Sequence, residues 1–136
     1  MIVRRRVLVV EHRKVHLVLI KMALRRLDEW LEIRWVRDAE EAREALESEP
    51  EIDLVLLSTG ADGPAIRKDL KTMVRNWNRS PTVAVVCDRL DPLRRVALAH
   101  FPVTPLAHPL KAVDLGRLLH EAAVAHPPAT ERVLRR

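Results

Sequence analysis

The sequence is short of four things, and each shortage excludes something. It has one cysteine, Cys87, so an internal disulfide cannot form and a reducing compartment such as the cytoplasm suits the chain. Aromatic residues make up 3%, with three Trp, one Phe and no Tyr. The core is therefore expected to be built from Val, Leu, Ile and Ala, the composition of buried parallel strands flanked by helices. The same shortage argues against nucleic acid as a direct partner. The net charge is +5, but no basic helix is interleaved with stacking aromatics, and the acidic residues are spread along the chain. No apolar run approaches a membrane span. Val7-Leu8-Val9-Val10, behind Arg4-Arg5-Arg6, is too short for a signal peptide and meets Glu11-His12-Arg13-Lys14 at once. A soluble cytoplasmic protein is the expectation. Glycine is scarce too, and two of the three fall in one loop, Ser58-Thr59-Gly60-Ala61-Asp62-Gly63.

What the sequence does contain is a regular alternation. Val7–Val10 is a short apolar run bounded by charge, the mark of a strand buried on both faces. From Arg13 to Leu27, the residues Val15, Val18, Leu19, Met22, Ala23 and Leu27 recur at helical spacing and are read as the apolar face of a first helix. Ile33-Arg34-Trp35-Val36 alternates as a second strand, and Asp38 with Glu41 predicts a capped helix to about Ser48. Ile52–Leu57 follows Pro50 as a third strand, and Pro64 fits the first turn of a helix reaching towards Val74. Thr82–Cys87 is a fourth strand, with Asp91-Pro92 opening the next helix through Leu93, Val96, Ala97 and His100. Residues 103–107 supply a short fifth strand, which Pro102 and Pro105 confine to an edge. A last helix from Leu110 to about Ala125 shows Val113, Leu115, Leu118, Leu119 and Ala122 as its apolar face. The division expected is one domain over 1–125, with 126–136 a polar, basic tail or the start of a linker.

Five strand–helix units imply right-handed crossovers and one parallel sheet, with order 2-1-3-4-5 expected for a doubly wound α/β domain of this size. Ligand sites in such sheets lie beyond the carboxyl ends of the strands where the order reverses. The residues to inspect are those just past Val10 and Leu57, then those past Val86 and Ala107.

Those positions carry a resemblance. Arg6-Val7-Leu8-Val9-Val10-Glu11-His12 resembles the first strand of the response-regulator receiver family of two-component signalling, which normally ends in paired aspartates. Asp53-Leu54-Val55-Leu56-Leu57-Ser58 resembles the third strand, with Ser58 where the family carries its phosphorylated aspartate. Asp62-Gly63 resembles the Asp-Gly that follows. In Pro81–Cys87, Val86 falls on the switch threonine or serine; in Ala107-His108-Pro109-Leu110, His108 replaces lysine. The resemblance spans roughly residues 4–125 and implies a flavodoxin-like fold and a regulatory role.

It also implies that the usual chemistry is gone. Aspartyl phosphorylation needs a carboxylate nucleophile and several carboxylate oxygens around Mg²⁺. Ser58 is a weak nucleophile without a base, and Glu11-His12 leaves one carboxylate where three should converge. Val86 has no hydroxyl for an arriving phosphoryl group, and a neutral His108 supplies less charge than lysine. Pro105 stands where receivers often have a switching aromatic. By the same resemblance His108-Pro109 is the candidate for a cis peptide.

The expectation is therefore a degenerate receiver, a pseudo-receiver that is not an enzyme and acts through protein contacts without phosphoryl transfer. The contact face implied is that of helix 4, strand 5 and helix 5, with Arg94, Arg95, Arg117, Leu98 and Leu118 presented to a protein partner or a second copy. Two alternatives stand beside it. The remodelled pocket of Glu11, His12, Ser58, Val86, Cys87 and His108 would sense a small ligand or a metal. Imidazole and carboxylate suit a transition metal better than Mg²⁺, with Glu11, His12 and His108 as its ligands. Or the chain would still be phosphorylated by unconventional chemistry. No cofactor is expected under the leading reading.

Overall fold

A computed structural model describes residues 5–126. The strands are β1 (Arg6–Val10), β2 (Glu32–Val36), β3 (Ile52–Thr59), β4 (Thr82–Cys87) and β5 (Thr104–Ala107). The helices are α1 (Lys14–Leu27), α2 (Ala39–Ser48), α3 (Gly63–Met73), α4 (Pro92–Leu98) and α5 (Ala112–Ala125). Every strand pairing is parallel and the order is β2-β1-β3-β4-β5, the doubly wound α/β sheet expected. The edge position of β5 also follows expectation, since Pro105 has no N–H to give a further strand.

Local chemistry sets where three helices begin. The carboxylates of Asp38, Asp62 and Asp91 accept hydrogen bonds from the backbone N–H groups of Glu41, Ala65 and Arg94. Each satisfies a donor that the first helical turn leaves open. Pro64 and Pro92 occupy first-turn positions where a missing N–H costs nothing.

The sheet is covered on both faces. One face packs Leu8, Val10, Val55, Leu57, Val83 and Val85 against α2, α3 and α4. The other packs Val7, Val9, Leu54, Leu56 and Ala84 against α1 and α5. Trp77, in the short 3-10 turn Trp77–Arg79, is partly buried against Phe101, their rings 5.8 Å apart.

α1 is turned away from its expected orientation. Leu17, Ile20 and Leu24 face the core, while Val15, Val18, Leu19 and Met22 are exposed, Val15 by 69%. Both sets recur at helical spacing, so periodicity alone does not choose between them. Packing against the sheet does. On α5 the face expected is correct for Leu115, Leu118 and Ala122, but Val113 points to solvent. Leu98 and Leu118, expected on the contact face, are 2% exposed and belong to the core. At the other end of β3, Asp53 lies against Arg5, whose Nη1 donates to its Oδ2 at 3.2 Å and to the His126 carbonyl at 3.1 Å.

Of the expected tail, His126 closes α5 and residues 127–136 lie outside the described residues.

Candidate functional site

The carboxyl ends of β1, β3 and β4 bring Glu11, Ser58, Thr59 and Asp88 together, with His108 arriving just after β5. The register sets Ser58 of β3 beside Val86 of β4. The centre is Glu11, whose side chain is fully buried. A buried carboxylate is costly unless its oxygens are answered, and here they are. Oε1 accepts from the backbone N–H of Arg13 at 2.9 Å and from its Nε at 2.8 Å. Oε2 accepts from Arg13 Nη2 at 3.0 Å and from the Ser58 hydroxyl. Burial pushes the Glu11 pKa up, but the bonds from Arg13 and Ser58 outweigh it and hold the carboxyl below its ordinary value.

The same guanidinium then reaches across the pocket. Arg13 Nη2 donates to Asp88 Oδ1 at 3.0 Å and Nη1 donates to Oδ2. Arg13 thus bridges a carboxylate after β1 to one after β4, a fork-to-fork geometry that lysine lacks. Those bonds hold the Asp88 carboxyl below its ordinary pKa. Gly60 leaves room for the bridge: a Cβ there would stand 2.7 Å from Asp88 Oδ2 and 3.3 Å from Arg13 Nη1.

The hydrogen bonds also assign the protons. Ser58 has one hydroxyl proton, and it goes to Glu11. His108 Nε2, 2.8 Å from Ser58 Oγ, must therefore be the donor to that oxygen. Burial lowers the His108 pKa; Asp88 pulls it up, and His16 and Arg13 push it down. The ring is neutral at pH 7, in the Nε2–H tautomer. Among the described residues Ser58 has no base to activate it, since Glu11 is a weakened one and His108 is a donor. The peptide bond between His108 and Pro109 is cis, as expected.

Other expected site residues fall elsewhere. Cys87 is fully buried and packs in the core facing α2, α3 and α4, and burial raises its pKa. His12 turns outward with its side chain 72% exposed and its Nδ1 4.0 Å from Glu11 Oε1, because residues next to each other at a strand end point to opposite sides. Glu11, His12 and His108 therefore do not converge. Among the described residues no three His, Cys, Asp or Glu side chains are grouped to hold a metal ion. Mg²⁺, which the resemblance would bring, does not fit either: Arg13 and Ser58 engage both oxygens of Glu11, and Arg13 both of Asp88. Arg94 is half-committed within the fold, its Nε donating to the Ala61 carbonyl at 2.9 Å and its Nη1 to Asp91 at 2.7 Å.

Two residues were missed. Arg13 reads as an ordinary helix-leading cation, although a cation two places past Glu11 was a usable signal. His16, which no local pattern singles out, meets His108 edge to face at 5.2 Å and Asp88 at 3.7 Å.

No family model and no curated protein matches the sequence. Solved structures do match the fold. A two-component response regulator from Legionella pneumophila is similar over 88% of this chain and 98% of its own, at 14% identity and a TM-score of 0.73. A response regulator from Thermotoga maritima is similar over 88% and 98%, at 20% identity and a TM-score of 0.67. A pilus assembly-related protein from Burkholderia pseudomallei gives 88% and 90%, 15% identity and a TM-score of 0.74. The fold is that of response-regulator receiver domains. Among the described residues no helix is long and apolar enough to cross a membrane.

Proposed function

We propose that the chain is a non-catalytic signalling module, a pseudo-receiver that works by protein contact without phosphoryl transfer. The observation that carries this reading is the Arg13 bridge. A guanidinium bound to both Glu11 and Asp88 fills the cation's place in the pocket with a charge that belongs to the protein. Ser58 beside it offers no carboxylate to form an acyl phosphate. No bound metal or other cofactor is needed for this role.

The contact face of α4, β5 and α5 is kept in the proposal with a revised set of residues. Arg95 and Arg117 remain exposed, and Leu93, Val96 and Val113 take over from Leu98 and Leu118. The exposed apolar stripe on α1 is a second candidate surface for a protein partner, because contiguous exposed apolar side chains favour association.

Incubation with a small-molecule phosphodonor and Mg²⁺, read by intact-protein mass, tests the reading. An unmodified mass is expected. A stoichiometric phosphoryl adduct would return the chain to the atypical phosphorylated regulators. A second reading, small-ligand sensing, is favoured by a cavity of about 410 Å³ lined by His12, Arg13, Arg37, Asp38, Ser58 and Asp69. A ligand-dependent rise in melting temperature that Arg37→Ala abolishes would support it.

A further inference from the structure

Two neighbouring helices carry opposite charge on their outer faces. On α2, Glu40, Glu44 and Glu47 are exposed, a stripe at positions i, i+4 and i+7. On α3, Arg67, Lys68 and Lys71 are exposed, and Arg75 and Arg79 continue the stripe into the following connection. α2 and α3 pack side by side, yet none of these charged side chains enters an ion pair among the described residues. The acidic and basic rows lie next to each other without meeting. Neither helix exposes a large apolar side chain.

We infer that this face binds a second copy of the same chain, with the acidic row of each copy on the basic row of the other. A two-fold interface uses one patch twice, so that patch must complement itself. α2 and α3 run in the same direction, because each joins two parallel strands. A two-fold axis parallel to the helices places α2 over the partner's α3 and α3 over its α2, satisfying both rows at once. An axis across the helices would set Glu40, Glu44 and Glu47 against their own copies. Charge therefore selects the first arrangement.

Other occupants fit less well. A nucleic-acid backbone would welcome Arg67, Lys68, Lys71 and Arg75, but the acidic row alongside repels a polyanion. A membrane surface of anionic headgroups meets the same objection. α1 carries Lys14, Lys21, Arg25 and Arg26 and no acid, so it too could face α2. That contact would leave Val15, Val18, Leu19 and Met22 against a row of carboxylates, with no apolar side chain to cover them.

The interface is small. Helices of 10 and 11 residues offer about 300 Å² per copy, well under the roughly 800 Å² of a stable complex. A cavity of about 280 Å³ with Leu46, Met73 and Val74 in its wall adds a modest apolar floor at the α2 end. The dimer is therefore weak, ionic and salt-sensitive.

Sedimentation equilibrium and amide chemical shifts of the full chain, measured against concentration, test the inference. Self-association with shifts on α2 and α3 is expected, weakened about tenfold or more by about 0.5 M salt. Glu40→Lys/Glu44→Lys/Glu47→Lys should be monomeric, and so should Arg67→Glu/Lys68→Glu/Lys71→Glu/Arg75→Glu. Mixed together, the two variants should associate, which also shows that both are folded. Three results would overturn the inference: a chain that stays monomeric at millimolar concentration in low salt, variants that fail to associate on mixing, or shifts confined to α1 or to α4 and α5. DNA binding at the α3 row with no self-association would assign the row to phosphate instead.

Discussion

At the carboxyl end of the sheet Arg13 answers both oxygens of Asp88 and, with Ser58, both oxygens of Glu11; at the amino end Arg5 answers one oxygen of Asp53 and leaves the other. Among the described residues Asp53 Oδ1 is buried without a hydrogen-bond partner. The consequence appears in opposite pKa directions. Burial pushes the Asp53 carboxyl up, and its pairing with Arg5 does not bring it back. For Glu11 burial pushes in the same direction, and the bonds from Arg13 and Ser58 reverse it. Both carboxylates sit at strand ends and both have an arginine within reach. What separates them is how completely the arginine is spent on them. The fully answered one lies at the carboxyl end of the sheet beside Ser58, where one guanidinium joins two carboxylates.

The comparison breaks most sharply at Arg13. Arg13→Ala leaves Glu11 buried and without its cation, and should cost about 3–5 kcal/mol in urea unfolding at pH 7. A loss under about 1 kcal/mol would show that the bridge is ornamental. At the other end Asp53→Asn should be neutral or stabilising by about 1 kcal/mol at pH 7, since it removes a charge that burial already opposes.

Acid unfolding sharpens the contrast, because the two groups act with opposite sign. Glu11 has a lowered folded pKa, so it contributes stability above its unfolded value near 4.5, lost as pH falls through the folded pKa. Glu11→Gln should therefore cost stability at neutral pH and progressively less below pH 4.5. Asp53 has a raised folded pKa, so stability is fully present below its unfolded value near 3.8 and lost as pH rises through the folded pKa. The advantage of Asp53→Asn should grow over that rise and vanish below pH 3.8. Parallel profiles for the two variants would refute the distinction. Gly60→Ala is the gentlest probe. Its methyl group meets Asp88 Oδ2, so a loss of about 1 kcal/mol is expected, and less when Arg13→Ala has already released the bridge.

The sheet order, the Asp38 cap and the helix start at Asp91-Pro92 were legible in the sequence, because strands buried on both faces and Asp-initiated helices leave local marks. α1 was not. Its two apolar stripes are equivalent as a pattern, and only the sheet decides that Leu17, Ile20 and Leu24 go in. The site was half legible for a related reason. Sequence placed Glu11 and Ser58 at adjacent strand ends, but nothing local says that Arg13 turns back onto Glu11 and forward to Asp88, 75 residues away. His12 was misplaced by treating neighbours on a strand end as neighbours in space.

The most direct test of the filled pocket is an amide chemical-shift titration with Mg²⁺ and beryllofluoride. The signals of Arg13, Ser58, Gly60, Asp88 and His108 should stay in place at saturating reagent, because the guanidinium already holds the carboxylates a metal would need. Saturable shifts at those residues would contradict the account and return the pocket to phosphoryl chemistry.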